Sequence, residues 1–393
     1  MFRQMPFIMI IIIIACIIID FFAPLIIKQF LYSISMTIKG IIVMLLPIII
    51  SLLLFKTMVG LARKATKMVV LLLVVVCSSS LTATFLSRFL GEAIYGFSFS
   101  MLKPSETEGL TSLWKINFPS LISNDQAILC GILFGLILAK FKPHFAHKAA
   151  AISDKLVNAV LGNFIYIIPF FISGFIIKMQ YEGVIASIIG HYFSVFLVVI
   201  CGQYLYITLI YWLLSGFSKN KLLADLKNMI PAVISGFSTM SSAASMPLTI
   251  KAAESISKNK SLAKAIVPVT SNIHLIGDCF AIPIFAYAVI KSFGIEEPNI
   301  SNYLIFSIYF VLAKFSVAAV PGGGILVMIP ILEKYLGFNS DMISMITALY
   351  ILFDPIITAA NVLGNGALVK FIDKVTSFGN MSDDGMQPER TLT

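Results

Sequence analysis

The chain is predicted to fold as an all-α polytopic membrane bundle, with eight transmembrane helices and two oppositely oriented re-entrant hairpins. Three observations predict it. Of 393 residues, 59% are hydrophobic and 12% charged, at a mean hydropathy of +0.96, which no water-soluble globule of that length carries. Apolar runs of about 20 residues recur, each long enough to cross a hydrocarbon core of about 30 Å as a helix. Two later apolar segments are interrupted mid-way by small, hydroxylated or Pro-Gly residues, which membranes tolerate only where protein or a cavity shelters the backbone. A β-barrel would show segments of about 10 residues alternating apolar and polar, and runs such as 9–19 do not alternate.

Six ordinary spans come first, at about 6–27, 38–62, 67–90, 126–141, 157–178 and 184–216. The opening segment has Arg3 ahead of an isoleucine run but no small-x-small cleavage pattern before Asp20, so it is expected to be retained as the first span. Cys16, Cys77, Cys130, Cys201 and Cys279 sit singly in apolar segments without CxxC spacing, as free packing residues would. The loop 91–125, with Ser105, Glu106, Thr107, Glu108 and Gly109, reads as an external excursion. The net charge of +9 is distributed by topology. Arg63, Lys64 and Lys67, then Lys140, Lys142, Lys148 and Lys155, then Lys219, Lys221 and Lys227, then Lys251, Lys258, Lys260 and Lys264 cluster between spans. Intervening loops are balanced, as in Lys178 with Glu182 and Lys291 with Glu296 and Glu297. This is the positive-inside pattern, placing both termini in the cytoplasm, and it excludes a nucleic-acid partner as the reason for the basicity.

The segment 228–250 carries Ser238-Thr239-Met240-Ser241-Ser242-Ala243-Ala244-Ser245 at its middle and basic clusters on both sides, so it is expected to enter and leave by one face. The segment 303–336 repeats that design with Ala318-Ala319-Val320-Pro321-Gly322-Gly323-Gly324 and outer-side flanks. Proline followed by glycines is costly in a lipid-facing helix, so this backbone is expected to turn in shelter. Each hairpin precedes a span with polar interruptions. The first, about 262–292, has Ser271-Asn272-Ile273-His274-Leu275-Ile276-Gly277-Asp278; the second, about 339–373, has Asp354-Pro355, Thr358, Asn361 and Gly364-Asn365-Gly366. Two such units of opposite orientation form an inverted repeat, and such repeats place their site near the bilayer midplane between the broken elements. The transporter core is therefore expected in 228–373.

At these residues the chain resembles the dicarboxylate/amino acid:cation symporters, the glutamate transporter superfamily. Phe237 through Thr249 is similar to that family's serine-rich first hairpin, Val320-Pro321-Gly322-Gly323-Gly324 to its second, and Asp354 through Asn365 to its last helix. Met44 to Pro47 stand where its second span has a Met-x-x-x-Pro element. The resemblance implies a homotrimer moving by an elevator mechanism. It implies a scaffold and trimerisation domain from 1–62 and 126–180, a transport domain from 63–95 and 184–376, and a polar tail at 377–393. It implies a substrate site of Ser241, Ser242, Ala243, Val320, Pro321, Gly324, Asp354, Thr358 and Asn361, with cation or proton coupling through His274, Asp278, Asn361 and Asn365.

The residues bear their own readings. An ionised Asp354 inside an apolar span needs a partner or a cavity; the resemblance makes it the acceptor for a substrate ammonium, and a structural contact to a helix end or lysine is the alternative. Thr358 and Asn361 lie four and seven residues further on, so all three share a helical face. Ser241 and Ser242 with adjacent amides suit a carboxylate at a helix N-terminus, or simply let helices pack closely. His274 and Asp278 are four apart and would face each other if the segment stays helical, as a proton relay; a neutral His274 bonded to a carbonyl is the alternative.

The departures shape the functional expectation. Members selecting acidic substrates carry an arginine where this chain has Ile357, and some carry another where it has Met240. Without either, a second substrate carboxylate lacks a partner. Where the family reads Asn-Met-Asp-Gly-Thr, this chain reads His274-Leu275-Ile276-Gly277-Asp278, so the sodium-binding aspartate has become Ile276; Asn365 replaces another aspartate of sodium-coupled members. The expectation is a non-enzymatic plasma-membrane symporter of a small neutral amino acid, coupled to H+ ahead of Na+, with no organic cofactor and no confident metal ligand set. A glutamate, aspartate or C4-dicarboxylate carrier using Lys314 or Arg88, and an uncoupled exchanger or channel-like member, remain the alternatives.

Overall fold

The computed structural model describes residues 5–62, 66–95, 109–119, 122, 124–182, 184–317 and 322–378. Ser105, Glu106, Thr107 and Glu108 of the polar loop, and Val320 and Pro321 of the second hairpin, lie outside them. Among the described residues the chain forms thirteen helices and no strand. They are α1 (Met5–Phe22), α2 (Leu25–Ala62), α3 (Thr66–Tyr95), α4 (Asn124–Phe141), α5 (Pro143–Tyr181), α6 (Val184–Leu214), α7 (Lys219–Thr239), α8 (Ser242–Ile256), α9 (Lys260–Thr270), α10 (Ile276–Ser292), α11 (Ile300–Lys314), α12 (Gly323–Leu336) and α13 (Ser340–Phe378).

Several helices outrun the apolar stretches that foretold them. α2 begins at Leu25, directly after Pro24 ends α1, and α5 begins at Pro143, at the first-turn position where proline's missing N–H costs nothing. Hydropathy marks only the part of a helix that meets lipid, so the polar turns of α5 around His144 and Lys148 were invisible to it. Among the described residues, Val70–Ala93, Tyr192–Leu214 and Ser340–Ser377 are long and apolar enough to cross a membrane, with shorter apolar helices at Pro47–Gly60, Gln126–Phe141 and Ile300–Lys314. The first two are buried over a minority of their length, whereas the third is mostly buried. Exposed Ile14, Ile18, Phe134, Phe193, Leu205 and Leu209 need an apolar surrounding.

Two groups of helices are visible in the packing. α1, α2, α4 and α5 pack chiefly on one another, and α3 with α6–α13 surround α10 and α13. Every residue of α10 from Ile276 to Ile290 is buried. Close approach in the first group uses glycines, as at Gly131, where a Cβ would come within 2.7 Å of the Ser51 carbonyl. The stretch 109–119 lies along α2, where Trp114 Nε1 donates to Thr37 Oγ1 at 2.9 Å and Leu113 N to Ser33 Oγ at 2.7 Å.

α7 and α8 form a tight helix pair turning at Met240, which takes the left-handed conformation at φ 51°. Ser241 caps α8 by accepting from Ala244 N at 3.2 Å. α11 and α12 form the second pair. α9 and α10 are the halves of one broken segment, separated by 271–275, as the polar interruption foretold. The last segment departs from expectation: α13 runs unbroken through Asp354-Pro355 and Gly364-Asn365-Gly366. Pro355 removes only one hydrogen bond of the ladder, and packing of α6, α7, α8 and α10 around α13 holds its neighbours helical. Below the core, Lys370 meets Asp225 and donates to Ser215 Oγ at 3.0 Å, tying α13 to α7. Asp373 accepts from Lys258 N and Asn259 N at 2.7 and 3.1 Å, tying α13 to the α8–α9 turn.

Candidate functional site

Polar side chains gather where the α9–α10 break and the α11–α12 pair meet the middle of α13. Asp354 is 2% exposed. Its Oδ2 accepts from Gly322 N at 2.8 Å and its Oδ1 from Thr358 Oγ1 at 3.0 Å. Gly322, at φ 72°, is the cap of α12, so the carboxylate meets the N-terminus of a helix where free amides and the dipole favour an anion. Asn361 lies seven residues, about two turns, beyond Asp354 along α13. It accepts from Gly277 N at 2.8 Å through Oδ1 and donates to Asp278 Oδ2 at 2.7 Å through Nδ2, bridging α13 to the start of α10.

Asp278 is the most heavily engaged group. Besides Asn361, its Oδ1 accepts from Tyr350 OH at 2.8 Å and pairs with Lys314 Nζ at 3.1 Å. Lys314 and Asp278 are each 1% exposed, and the ammonium also lies 4.8 Å from the centre of the Phe310 ring. The ion-pair distance is short, although its angles do not make a hydrogen bond and Nζ has no such partner among the described residues. The electrostatic pairing stands on distance in a dry surrounding. Gly324 is required here: a Cβ would fall 2.2 Å from both Asp278 Oδ1 and Tyr350 OH.

His274 and Asp278 do not pair, which corrects the relay geometry expected of a continuous helix. Residues 271–275 are not helical, and that rotates the two side chains apart. His274 instead shares a hydrogen bond of 3.1 Å between Nε2 and Ser79 Oγ on α3, while Nδ1 has no partner among the described residues. The ring lines a cavity of about 470 Å³ that runs between α3, α6 and α13 past Ser78, Thr82, Leu214 and Phe371. Asn365 Nδ2 donates to the Asn361 carbonyl at 2.9 Å and the His274 carbonyl at 3.3 Å, and its own Oδ1 has no partner among the described residues.

The structure thus brings Gly324, Asp354, Thr358, Asn361, Asp278, His274 and Asn365 into one region. Ser241 and Ser242 are buried at the α7–α8 turn and Ala243 is exposed. Their pair reaches α13 at Gly236, where a Cβ would come 3.4 Å from the Thr358 carbonyl. Sequence reasoning missed Tyr350 and Ser79. Tyr350 lies four residues before Asp354, on the same face as Asp354 and Thr358, and that spacing was a usable signal. Arg88 is held elsewhere, by Glu92 at 2.6 Å, the Pro298 carbonyl at 3.0 Å and the Tyr303 ring.

Buried carboxylates, amides and one ammonium thus gather at a helix break inside an apolar helical bundle, where ionisable groups need partners or a cavity. No group of three or more His, Cys, Asp or Glu side chains suited to a metal ion occurs among the described residues. The chain belongs to the sodium:dicarboxylate symporter family, whose model matches residues 5–375. It is similar to excitatory amino acid transporter 4 of Mus musculus, 24% identical over 298 residues that cover 71% of this chain and 48% of the relative. It is also similar to the putative sodium-dependent excitatory amino acid transporter glt-4 of Caenorhabditis elegans, 24% identical over 63% of this chain and 50% of the relative. The serine/threonine transporter SstT of Streptococcus thermophilus is 21% identical over 55% of this chain and 53% of its own length. The chain spans about half the length of these curated relatives.

Proposed function

We propose that the chain is a symporter of a small neutral amino acid, coupled to protons ahead of sodium, in the plasma membrane. On this reading α7–α8 and α11–α12 are re-entrant hairpins of opposite orientation within a fold of eight spans. α1, α2, α4 and α5 form the scaffold of a homotrimer, and α3 with α6–α13 form the transport domain that moves as an elevator. The packing of the helices into those two groups supports the division. The 271–275 break facing α13 supports a site at mid-membrane.

The observation that carries the substrate reading is the Asp354 carboxylate, buried among backbone and hydroxyl donors with Ile357 beside it. It suits a substrate ammonium, and the α12 and α8 N-termini suit the α-carboxylate. The relative named for serine and threonine supports a neutral side chain. Proton coupling rests on His274, whose ring lines the cavity with Nδ1 unpartnered among the described residues. A second reading, an acidic substrate, is favoured by the relatives named for excitatory amino acids and by Lys314, the one buried ammonium beside Asp278 among the described residues.

Thermal stability of the purified chain against a panel of amino acids and dicarboxylates, in sodium and in choline buffers, tests this. A ligand at 100 times its dissociation constant stabilises by about 2.7 kcal/mol. A neutral amino acid should stabilise equally in both buffers. Stabilisation by aspartate, glutamate or a dicarboxylate alone, and only in sodium, would replace the neutral reading with the acidic one.

A further inference from the structure

We infer that Lys314 is a built-in cation: its ammonium holds Asp278 in the place a coupling sodium would otherwise take, and so frees the apo site from sodium. The inference rests on the family and the geometry, not on the identity of the substrate.

Sodium is a hard cation that needs several oxygen atoms with free lone pairs directed at one point. In a dry site the strongest such oxygens are carboxylates, and two are buried in this region, Asp278 and Asp354. The lone pairs of Asp278 face positive or N–H and O–H partners. Lys314 Nζ lies 3.1 Å from Oδ1, Tyr350 OH donates to Oδ1 at 2.8 Å, and Asn361 Nδ2 donates to Oδ2 at 2.7 Å. One carbonyl oxygen of the helix break is engaged as well, because Asn365 Nδ2 donates to that of His274 at 3.3 Å. Among the side chains of this region in the described residues, Asn365 Oδ1 is an oxygen without a hydrogen-bond partner, and one amide oxygen does not make a cation site. Among the described residues, Asp278 is thus already held by one ammonium and two neutral donors, and its charge is balanced without a metal ion.

The position of Lys314 fits this role better than an incidental burial. It is the last residue of α11, immediately before the turn into α12, so its side chain ties the second helix pair to the first turn of α10. An unpaired lysine ammonium buried to 1% exposure would be prohibitively desolvated. Asp278 supplies the required counter-charge, and the Phe310 ring face lies 4.8 Å away. Two carboxylates and one ammonium leave one negative charge, at Asp354, for whatever positive group accompanies or belongs to the substrate.

The test uses the full-length purified chain without substrate. Its melting midpoint is followed as sodium chloride replaces choline chloride at constant ionic strength, with potassium chloride as a second control. The wild-type midpoint should not respond to sodium. Lys314→Met, which leaves Asp278 uncompensated, should melt lower in choline and recover by several degrees in sodium but not in potassium. Lys314→Met combined with Asp278→Asn should be insensitive again. A sodium-specific rise in the wild type that Asp278→Asn abolishes would overturn the inference, as would a folded Lys314→Met variant indifferent to sodium. If Lys314→Met gives no cooperative melt, the wild-type titration decides alone. Should Lys314→Met lose amino-acid stabilisation in every buffer while staying indifferent to sodium, Lys314 serves the substrate and the inference falls.

Discussion

Both oxygens of Asp354 are engaged by the chain itself, Oδ2 by Gly322 N and Oδ1 by Thr358 Oγ1. A substrate ammonium must therefore share or displace a donor that belongs to the cap of α12, which couples occupancy of the site to the placement of that helix. Asp354→Asn keeps the shape but removes the charge. It should erase the stabilisation of about 2.7 kcal/mol expected from a saturating amino acid, and a preserved ligand-induced shift in melting would remove Asp354 from the site. At His274 the ring is hydrogen-bonded to Ser79 through Nε2, and Nδ1 has no partner among the described residues. His274→Gln should flatten the pH dependence of uptake, and an unaltered profile would leave the histidine a structural role. Asp354, Thr358 and Asn361 were legible in the sequence because a single helix sets their spacing. The partners of Asp278 were not, because Lys314 and Tyr350 reach it from other helices and no local period encodes that meeting.

At the scale of the helix, the same polar signal had opposite outcomes in α9–α10 and in α13. Both segments carry glycine among polar residues, with prolines in the adjoining turns, yet one breaks at 271–275 and the other continues. The difference is in what receives the backbone. Asn361 Oδ1 takes up Gly277 N at the start of α10, and Asn365 Nδ2 takes up the His274 carbonyl, so α13 supplies the partners that an opened helix needs. α13 can do so only by remaining a regular helix with those amides in register. A reading confined to one segment at a time cannot distinguish the helix that breaks from the helix that satisfies the break. The junction should be intolerant of added volume. Gly277→Ala would put a Cβ 2.4 Å from the Ile357 carbonyl, and Gly324→Ala would put one 2.2 Å from Asp278 Oδ1. Each should cost about 1–3 kcal/mol by overpacking, seen as a lowered melting midpoint. A wild-type midpoint for Gly324→Ala would mean that the second helix pair does not close on Asp278 in solution.

Across the whole molecule, long charged side chains bridge the two groups of helices at the edge of a shared apolar core. Lys39 of α2 donates to Ser340 Oγ at 3.3 Å and lies 3.8 Å from Glu333, while Lys178 of α5 pairs with Asp341 and lies 3.6 Å from Glu182. Charged contacts of this kind are individually weak when partly exposed, about 0–1 kcal/mol, and they can re-form with other partners after a displacement, as a tightly interdigitated apolar seam cannot. Within the first group, by contrast, backbones touch at Gly131 and Gly174, where a Cβ would meet a carbonyl oxygen at 2.7 and 2.3 Å. Motion should therefore occur between the groups and not within the first. With Cys16, Cys77, Cys130, Cys201 and Cys279 replaced by alanine, Lys39→Cys and Glu333→Cys joined by a short reducible bifunctional thiol reagent should arrest uptake, and reduction should restore it. The same reagent joining Lys56→Cys to Asp154→Cys, a half-buried pair of α2 and α5 at 2.5 Å, should leave uptake intact. Full uptake with the Lys39–Glu333 link complete would show that the two groups move as one body, and the substrate would then have to pass by local opening of the α11–α12 pair alone.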